Sequence, residues 1–131
     1  MEQRTINPWK WQDQYGFSQA IEVSNASRVL YCAGQASVDE EGRPVHPGDI
    51  RKQIEQAFDN LETVLKAAGF GLANVVRLNY YTTDVEAFLS AGDVIGARLG
   101  AAGCAPPGTL LGVSKLAFPG LMIEMEATAV K

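Results

Sequence analysis

Apolar residues recur at every second position from 121 to 129. Leu121, Ile123, Met125, Ala127 and Ala129 share one parity, and Glu124 and Glu126 share the other. Side chains two apart on a strand point to the same face, so this segment is a strand with one apolar face and one carboxylate-bearing face. A sheet built on such a strand must bury one side and either hydrate the other or close a site over it. Just upstream, Pro106-Pro107-Gly108-Thr109 leads into a further short strand from Leu110, and Pro119-Gly120 reads as the turn joining the two.

Earlier in the chain the period changes. Ile50, Ile54, Ala57, Leu61, Val64, Leu65 and Ala68 follow helical spacing. Asp49 is the candidate N-cap and Gly69 the natural stop, which predicts a helix over 50–68. Arg51, Gln53, Glu55, Asn60, Glu62 and Lys66 fall on its wet side. Residues 75–83 are β-branched and aromatic and predict a strand. Val76, Leu78, Tyr80 and Thr82 point one way on it, and Arg77, Asn79, Tyr81 and Thr83 the other. Asp84 caps a second predicted helix over 85–101, weakened by Gly92, Gly96 and Gly100. Near the start, Thr5-Ile6-Asn7 is a short strand ended by Pro8. Residues 19–23 and 29–33 read as a hairpin across the Ser24-Asn25-Ala26-Ser27 turn cluster. Segments 39–44 and 103–108 are loops. The order of strands, helix, strand, helix, strands predicts an α+β fold. It forms one domain over 1–131, a mixed sheet with two helices packed on one face.

A chain of 131 residues fits one domain. Charged residues make up 20% and the hydrophobic set 47%, as in ordinary globular proteins. The net charge of −4, from 11 basic and 15 acidic side chains, argues against nucleic acid as a partner, because phosphate contacts need clustered Lys and Arg. No apolar stretch approaches the roughly 20 residues that cross a bilayer, so no membrane partner is expected. The first residues lack the apolar core of a signal peptide, and the cytoplasm is the expected compartment. Cys32 and Cys104 are too few for a disulfide framework or a Cys-rich metal site and are expected to be buried thiols. His46 is the only histidine, so no His-based metal cluster can form. Gly69-Phe70-Gly71 neither follows a predicted strand nor precedes a phosphate-loop lysine. No metal or cofactor is expected.

Several segments, in order, resemble the Rid family (reactive intermediate deaminase, YjgF-like). Gly16-Phe17-Ser18-Gln19-Ala20 is similar to its N-terminal Gly-Pro-Tyr-Ser-Gln-Ala. Tyr31-Cys32-Ala33-Gly34-Gln35 is similar to its strand ending in Ser-Gly-Gln. Ala67-Ala68-Gly69, then Asn74-Val75-Val76-Arg77, resemble its helix exit and following strand. Tyr81-Thr82-Thr83-Asp84 with Phe88 resembles its step into the second helix, and Glu124-Met125-Glu126-Ala127 its Glu-x-Glu-Ala ending. The resemblance implies a chorismate-mutase-like, YjgF-like fold. It also implies a homotrimer whose sheets turn inward, with small-molecule pockets at the subunit clefts.

In family members that hydrolyse imines and enamines, the resemblance implies an arginine for the substrate carboxylate, a glutamate on the last strand, a serine-glycine backbone and a tyrosine that closes the pocket. Carried over, the glutamate is Glu124, the arginine position Gly108, the serine position Ala33 and the tyrosine position Phe17; Gly34 and Thr109 are retained. Gly108 also reads as a turn glycine that needs a positive φ. A guanidinium holds a carboxylate through two charged hydrogen bonds, and without it an anionic substrate would approach Glu124 unpaired. A neutral or cationic ligand is therefore expected. Glu124 reads either as a general base for water or as a partner of Arg77 or a lysine across the sheet. Arg77 and Arg98 are the candidate replacements for the missing arginine. Trp9 and Trp11 read either as an aromatic lid or as anchors that dock the N-terminal segment. Two functions follow. One is a divergent Rid-like hydrolase acting on a small reactive metabolite rather than the usual 2-imino acids. The alternative is a non-catalytic small-molecule-binding trimer. Chorismate-type chemistry needs arginines for a dicarboxylate, for which no motif is present, and a ribonuclease role fits poorly with the acidic balance.

Overall fold

A computed structural model describes residues 1–131. Its elements are β1 (Glu2–Ile6), β2 (Ala20–Ser24), β3 (Val29–Tyr31), β4 (Gln35–Ala36), α1 (Ile50–Ala67), β5 (Val75–Thr82), α2 (Val85–Ser90), α3 (Gly92–Ala101), β6 (Leu110–Gly112) and β7 (Ile123–Val130). Single 3₁₀ turns at Trp11–Tyr15 and Leu72–Asn74 complete the set. The fold is α+β, as expected. The helices number three because the segment after Asp84 breaks at Ala91, just before Gly92.

The main sheet runs β3-β7-β5-β6, with β4 also on β7. All its pairings are antiparallel except β5–β6. Parallel neighbours need a long crossover, and α2 and α3 supply it. The last two strands are therefore not hairpin partners: β5 lies between them. The hairpin expected from 19–23 and 29–33 does not form either. β2 folds back on β1 in a separate two-stranded ribbon, while β3 joins β7. A turn signal fixes a reversal of the chain, but not which strand is paired after it.

One layer of helix covers one face. Ile54, Ala57, Phe58, Leu61 and Leu65 of α1 are wholly buried against the inward row Ile123, Met125, Ala127 and Ala129 of β7. Each large apolar side chain buried this way contributes about 1.5–3 kcal/mol of transfer free energy. Asp49 caps α1 by accepting the Lys52 N–H, and Gly69 ends it at φ +80°. Gln53, expected on the wet side, is fully buried. Its amide donates to the carbonyls of His46 and Gly120 and accepts the Met122 N–H, tying α1 to the approach of β7. Phe58, outside the predicted stripe, belongs to the core, whereas Val64 is exposed.

The strand β5 departs from simple alternation. Val75 pairs with Ala129 and Arg77 with Thr128, so Val76 is an extra residue, a β-bulge. The bulge buries Val75 with Leu78 and turns Val76 partly outward, against the predicted phase.

Candidate functional site on the outer sheet face

Alternation in β7 puts Glu124, Glu126 and Thr128 on the face that no helix covers. Cross-strand register sets their neighbours on β5: Tyr81 opposite Glu124, Asn79 opposite Glu126, and Arg77 opposite Thr128. This face is mixed in character. Tyr31 is 80% exposed and Leu111 50%, beside the polar residues. Nothing in the chain covers them.

The two glutamates differ in their surroundings. Glu126 accepts hydrogen bonds from the Tyr81 hydroxyl at 3.0 Å and the Asn79 amide at 3.4 Å. Asn79 in turn accepts the Thr109 N–H at 3.0 Å. A polar relay thus crosses three strands from β7 to the start of β6. The Glu126 hydrogen bond raises the Tyr81 phenol above its ordinary range, because the carboxylate stabilises the protonated hydroxyl. Alternation alone puts these side chains on one face, but their pairing depends on register.

Glu124 is half-buried and takes no donor from the chain, neither hydrogen bond nor ion pair. Gly34, beside β4, lies against it: a β-carbon there would sit 2.0 Å from the Glu124 Oε1. The register explains the contact, since Ala36 pairs with Glu124 and Gln35 with Met125. Ala33 is exposed next to it. The structure thus brings Glu124, Gly34 and Ala33 together.

It does not bring the two candidate arginines to Glu124. Arg98 lies on the helix layer, where it meets Glu55 at 2.7 Å, Asp59 at 2.9 Å and Glu62 at 2.5 Å. These carboxylates raise its pKa even against the cost of partial burial. Arg77 shares the outer face but stands opposite Thr128, four residues along from Tyr81, about 13 Å at strand rise. It makes no ion pair, so the reading of Glu124 as its partner fails within the protomer.

Gly108 departs from expectation on one point. A turn glycine there predicts a positive φ, but the backbone is not left-handed. The cause is close approach: a β-carbon at 108 would lie 1.7 Å from the Leu78 carbonyl oxygen. The hydrogen bonds from Leu78 N–H to Pro107 O and from Tyr80 N–H to Thr109 O draw this segment flat against β5. No side chain fits at 108. The adjacent position that can project one is Thr109, which is exposed, and neither carries a guanidinium.

Phe17 lies elsewhere. It lines a cleft of about 450 Å³ beneath the β1–β2 ribbon, together with Thr5, Asp13, Val75 and Cys104. That is the Val75 end of β5, whereas Glu124 faces the Tyr81 end. Trp11 packs edge-on to Phe17 with ring centroids 5.7 Å apart, and Trp9 is exposed. Neither tryptophan covers Glu124. The cysteines are free; Cys32 is buried, but Cys104 only half-buried. His46 is exposed in its loop, and no helix is long and apolar enough to cross a membrane.

Residues 12–131 match a family described as Endoribonuclease L-PSP. A RutC family protein of Pyrococcus horikoshii is 32% identical over 115 residues, covering 88% of this chain and 86% of that one. A 2-iminobutanoate/2-iminopropanoate deaminase of Bos taurus is 33% identical over 78 residues, 60% of this chain and 55% of that one. Among solved structures, a protein of unknown function of the conserved Rid family from Yersinia pestis superposes with a TM-score of 0.85. It is 36% identical and covered over the whole of both chains.

Proposed function

The chain belongs to the endoribonuclease L-PSP family, which includes the Rid or YjgF-like proteins, and from that premise we propose that it is a divergent Rid-like hydrolase acting on a small reactive metabolite other than the usual 2-imino acids. Membership supports a deaminase-type or other small-molecule role in general. The finer reading rests on one observation: Glu124 is a half-buried carboxylate with no donor from its own chain, beside the bare Cα of Gly34 and away from any guanidinium.

In this reading Glu124 accepts a proton from a water molecule as the water oxygen bonds to the carbon of a C=N group. The electron pair of that bond goes to nitrogen. The resulting carbinolamine collapses to a carbonyl as the nitrogen, protonated in turn, departs as ammonia or an amine. An iminium form is the better electrophile and is attracted by the carboxylate. A carboxylate-bearing imine would instead bring like charges together. The acidic balance of the chain gives no support to ribonuclease chemistry.

The site is proposed to lie at subunit contacts of a homotrimer, which would cover Tyr31 and Leu111 on the open face. Sedimentation is expected to give three times the 14.1 kDa of one chain; a single-chain mass rejects an interface site. The functional test is ammonia release from imines generated in situ. An imine lacking a carboxylate is expected to be hydrolysed, with loss of the activity in Glu124→Gln. Fast deamination of 2-imino acids overturns the proposed specificity. The non-catalytic binding trimer remains the second reading, supported by the apolar Phe17 and Ala33. It prevails if Glu124→Ala weakens ligand binding while the parent protein consumes nothing.

A further inference from the structure

Strands β5 and β6 pair in parallel, Tyr80 with Leu110 and Tyr81 with Leu111. One step back the ladder continues from one side only. The Leu78 N–H donates to Pro107 O and the Tyr80 N–H to Thr109 O. In a regular parallel ladder the Leu78 carbonyl would take the Thr109 N–H as the next rung. It does not. The bare Cα of Gly108 lies against that oxygen, where a β-carbon would come within 1.7 Å. The Thr109 N–H goes instead to Asn79 Oδ1 at 3.0 Å.

The Asn79 side chain therefore supplies the acceptor that the backbone does not offer. Its amide has one orientation that serves both neighbours. The Thr109 N–H can only donate and the Glu126 carboxylate can only accept, so Oδ1 faces Thr109 and Nδ2 faces Glu126 Oε1 at 3.4 Å. The Tyr81 hydroxyl donates to the same Oε1 at 3.0 Å and helps to hold it. Asn79 is half-buried and pinned at both ends of its amide. Nothing in strand pairing demands an amide at this position. A β-branched apolar residue would suit β5 better and would leave the Thr109 N–H without its acceptor.

We propose that Asn79 is a positioning residue of the ligand site. It fixes the Thr109 backbone, and so the direction in which position 109 projects, while Glu126 sets the orientation of its amide. The inference rests on the function proposed above and on Thr109 bordering its ligand. Asn79 acts through Thr109 and does not touch the ligand itself. Gly108 carries no side chain, so position 109 is the first on this segment that can present one. A peptide that swings at 109 spreads that side chain over several directions, and a ligand must then meet the cost of ordering it. Selectivity at 109 thus depends on residue 79, one strand away.

Amide exchange reads the prop directly. Asn79→Leu is expected to speed exchange at Thr109 about tenfold more than at Leu78, whose own acceptor, Pro107 O, remains. The functional readout is calorimetric titration with 2-oxobutanoate, a stable carboxylate with oxygen in place of the imine nitrogen. Thr109→Arg is expected to bind it about tenfold more tightly than the parent, and Asn79→Leu to cut that gain to about twofold, a coupling of the size found between residues in contact. Gln53→Ala, which weakens the fold from the helix layer, is expected to leave the gain whole, so lost stability alone does not mimic the effect. Asn79→Ala replaces Asn79→Leu if the larger side chain does not fold. A gain that survives loss of the amide, or Thr109 exchange that only tracks Leu78, overturns the inference and leaves the hydrolase reading standing. No gain from Thr109→Arg with Asn79 in place removes position 109 from the ligand site and overturns the inference with it. Neither measurement needs turnover, so an absence of imine hydrolysis bears on Glu124 and not on Asn79.

Discussion

The bare Cα of Gly34 supports the Glu124 side chain: a β-carbon there would lie 2.0 Å from Oε1 and 3.0 Å from Cγ. The atoms in the way belong to a flexible side chain, so they yield more readily than backbone. Gly34→Ala is expected to rotate the carboxylate away at a cost of about 1 kcal/mol. Denaturant unfolding should change little. Imine hydrolysis, or ligand binding on the outer face, should fall as far as it does in Glu124→Gln. Full function in a folded Gly34→Ala protein would remove Glu124 from the site.

Gly108 meets a backbone atom instead. An added methyl carbon would sit 1.7 Å from the Leu78 carbonyl oxygen, so Gly108→Ala must separate β6 from β5. The expected loss is about 3 kcal/mol or more, read as a lower denaturation midpoint. Thr109→Arg carries no such clash at an exposed position. It is expected to keep the fold and improve binding of carboxylate-bearing imines. A stable Gly108→Ala variant would show that this segment has slack.

Gln53 satisfies three backbone groups from one buried amide. Gln53→Ala leaves the His46 and Gly120 carbonyls and the Met122 N–H without that partner. The expected destabilisation is about 2–3 kcal/mol, checked by chemical denaturation. A loss no larger than that of an exposed helix substitution would mean these groups find other partners.

Acid should weaken the fold partly through Asp93. Hydrogen bonds from Arg51, at 2.9 and 2.6 Å, hold its carboxyl below the usual carboxylate range. A lowered folded value means the unfolded chain binds protons first. The contribution is therefore present above about pH 4, the ordinary aspartate value, and is lost as pH falls through the lower folded value. Melting curves of the parent and Asp93→Asn should differ near neutrality and converge in acid. A constant offset at every pH would contradict the assignment.

Local signals carried much of this fold. The Asp49 cap, the apolar stripe from Ile54 to Leu65 and Gly69 delimit α1 because each acts within a turn or two of helix. The strict alternation of β7 places Glu124 on the open face. The misreadings share a cause. Val76 is a bulge, visible only against Thr128 and Ala129 on the partner strand. The pairing of β2 with β1, and the place of β5 between β6 and β7, are choices of distant partner that no turn residue encodes. Gln53 looks solvated from helical spacing because the three backbone groups it satisfies come from other segments. At the site, Glu124 is legible from alternation, but its contact with Gly34 needs the register of β4, and Phe17 is separated from it by the length of β5.

The ribbon of β1 and β2 shares no ladder with the main sheet. It can lift by breaking only its own rungs, so amide exchange at Thr5 and Ile21 should follow a local breathing motion while Leu78 and Met125 wait for global unfolding. The periphery and the interior of this small molecule thus run on separate clocks.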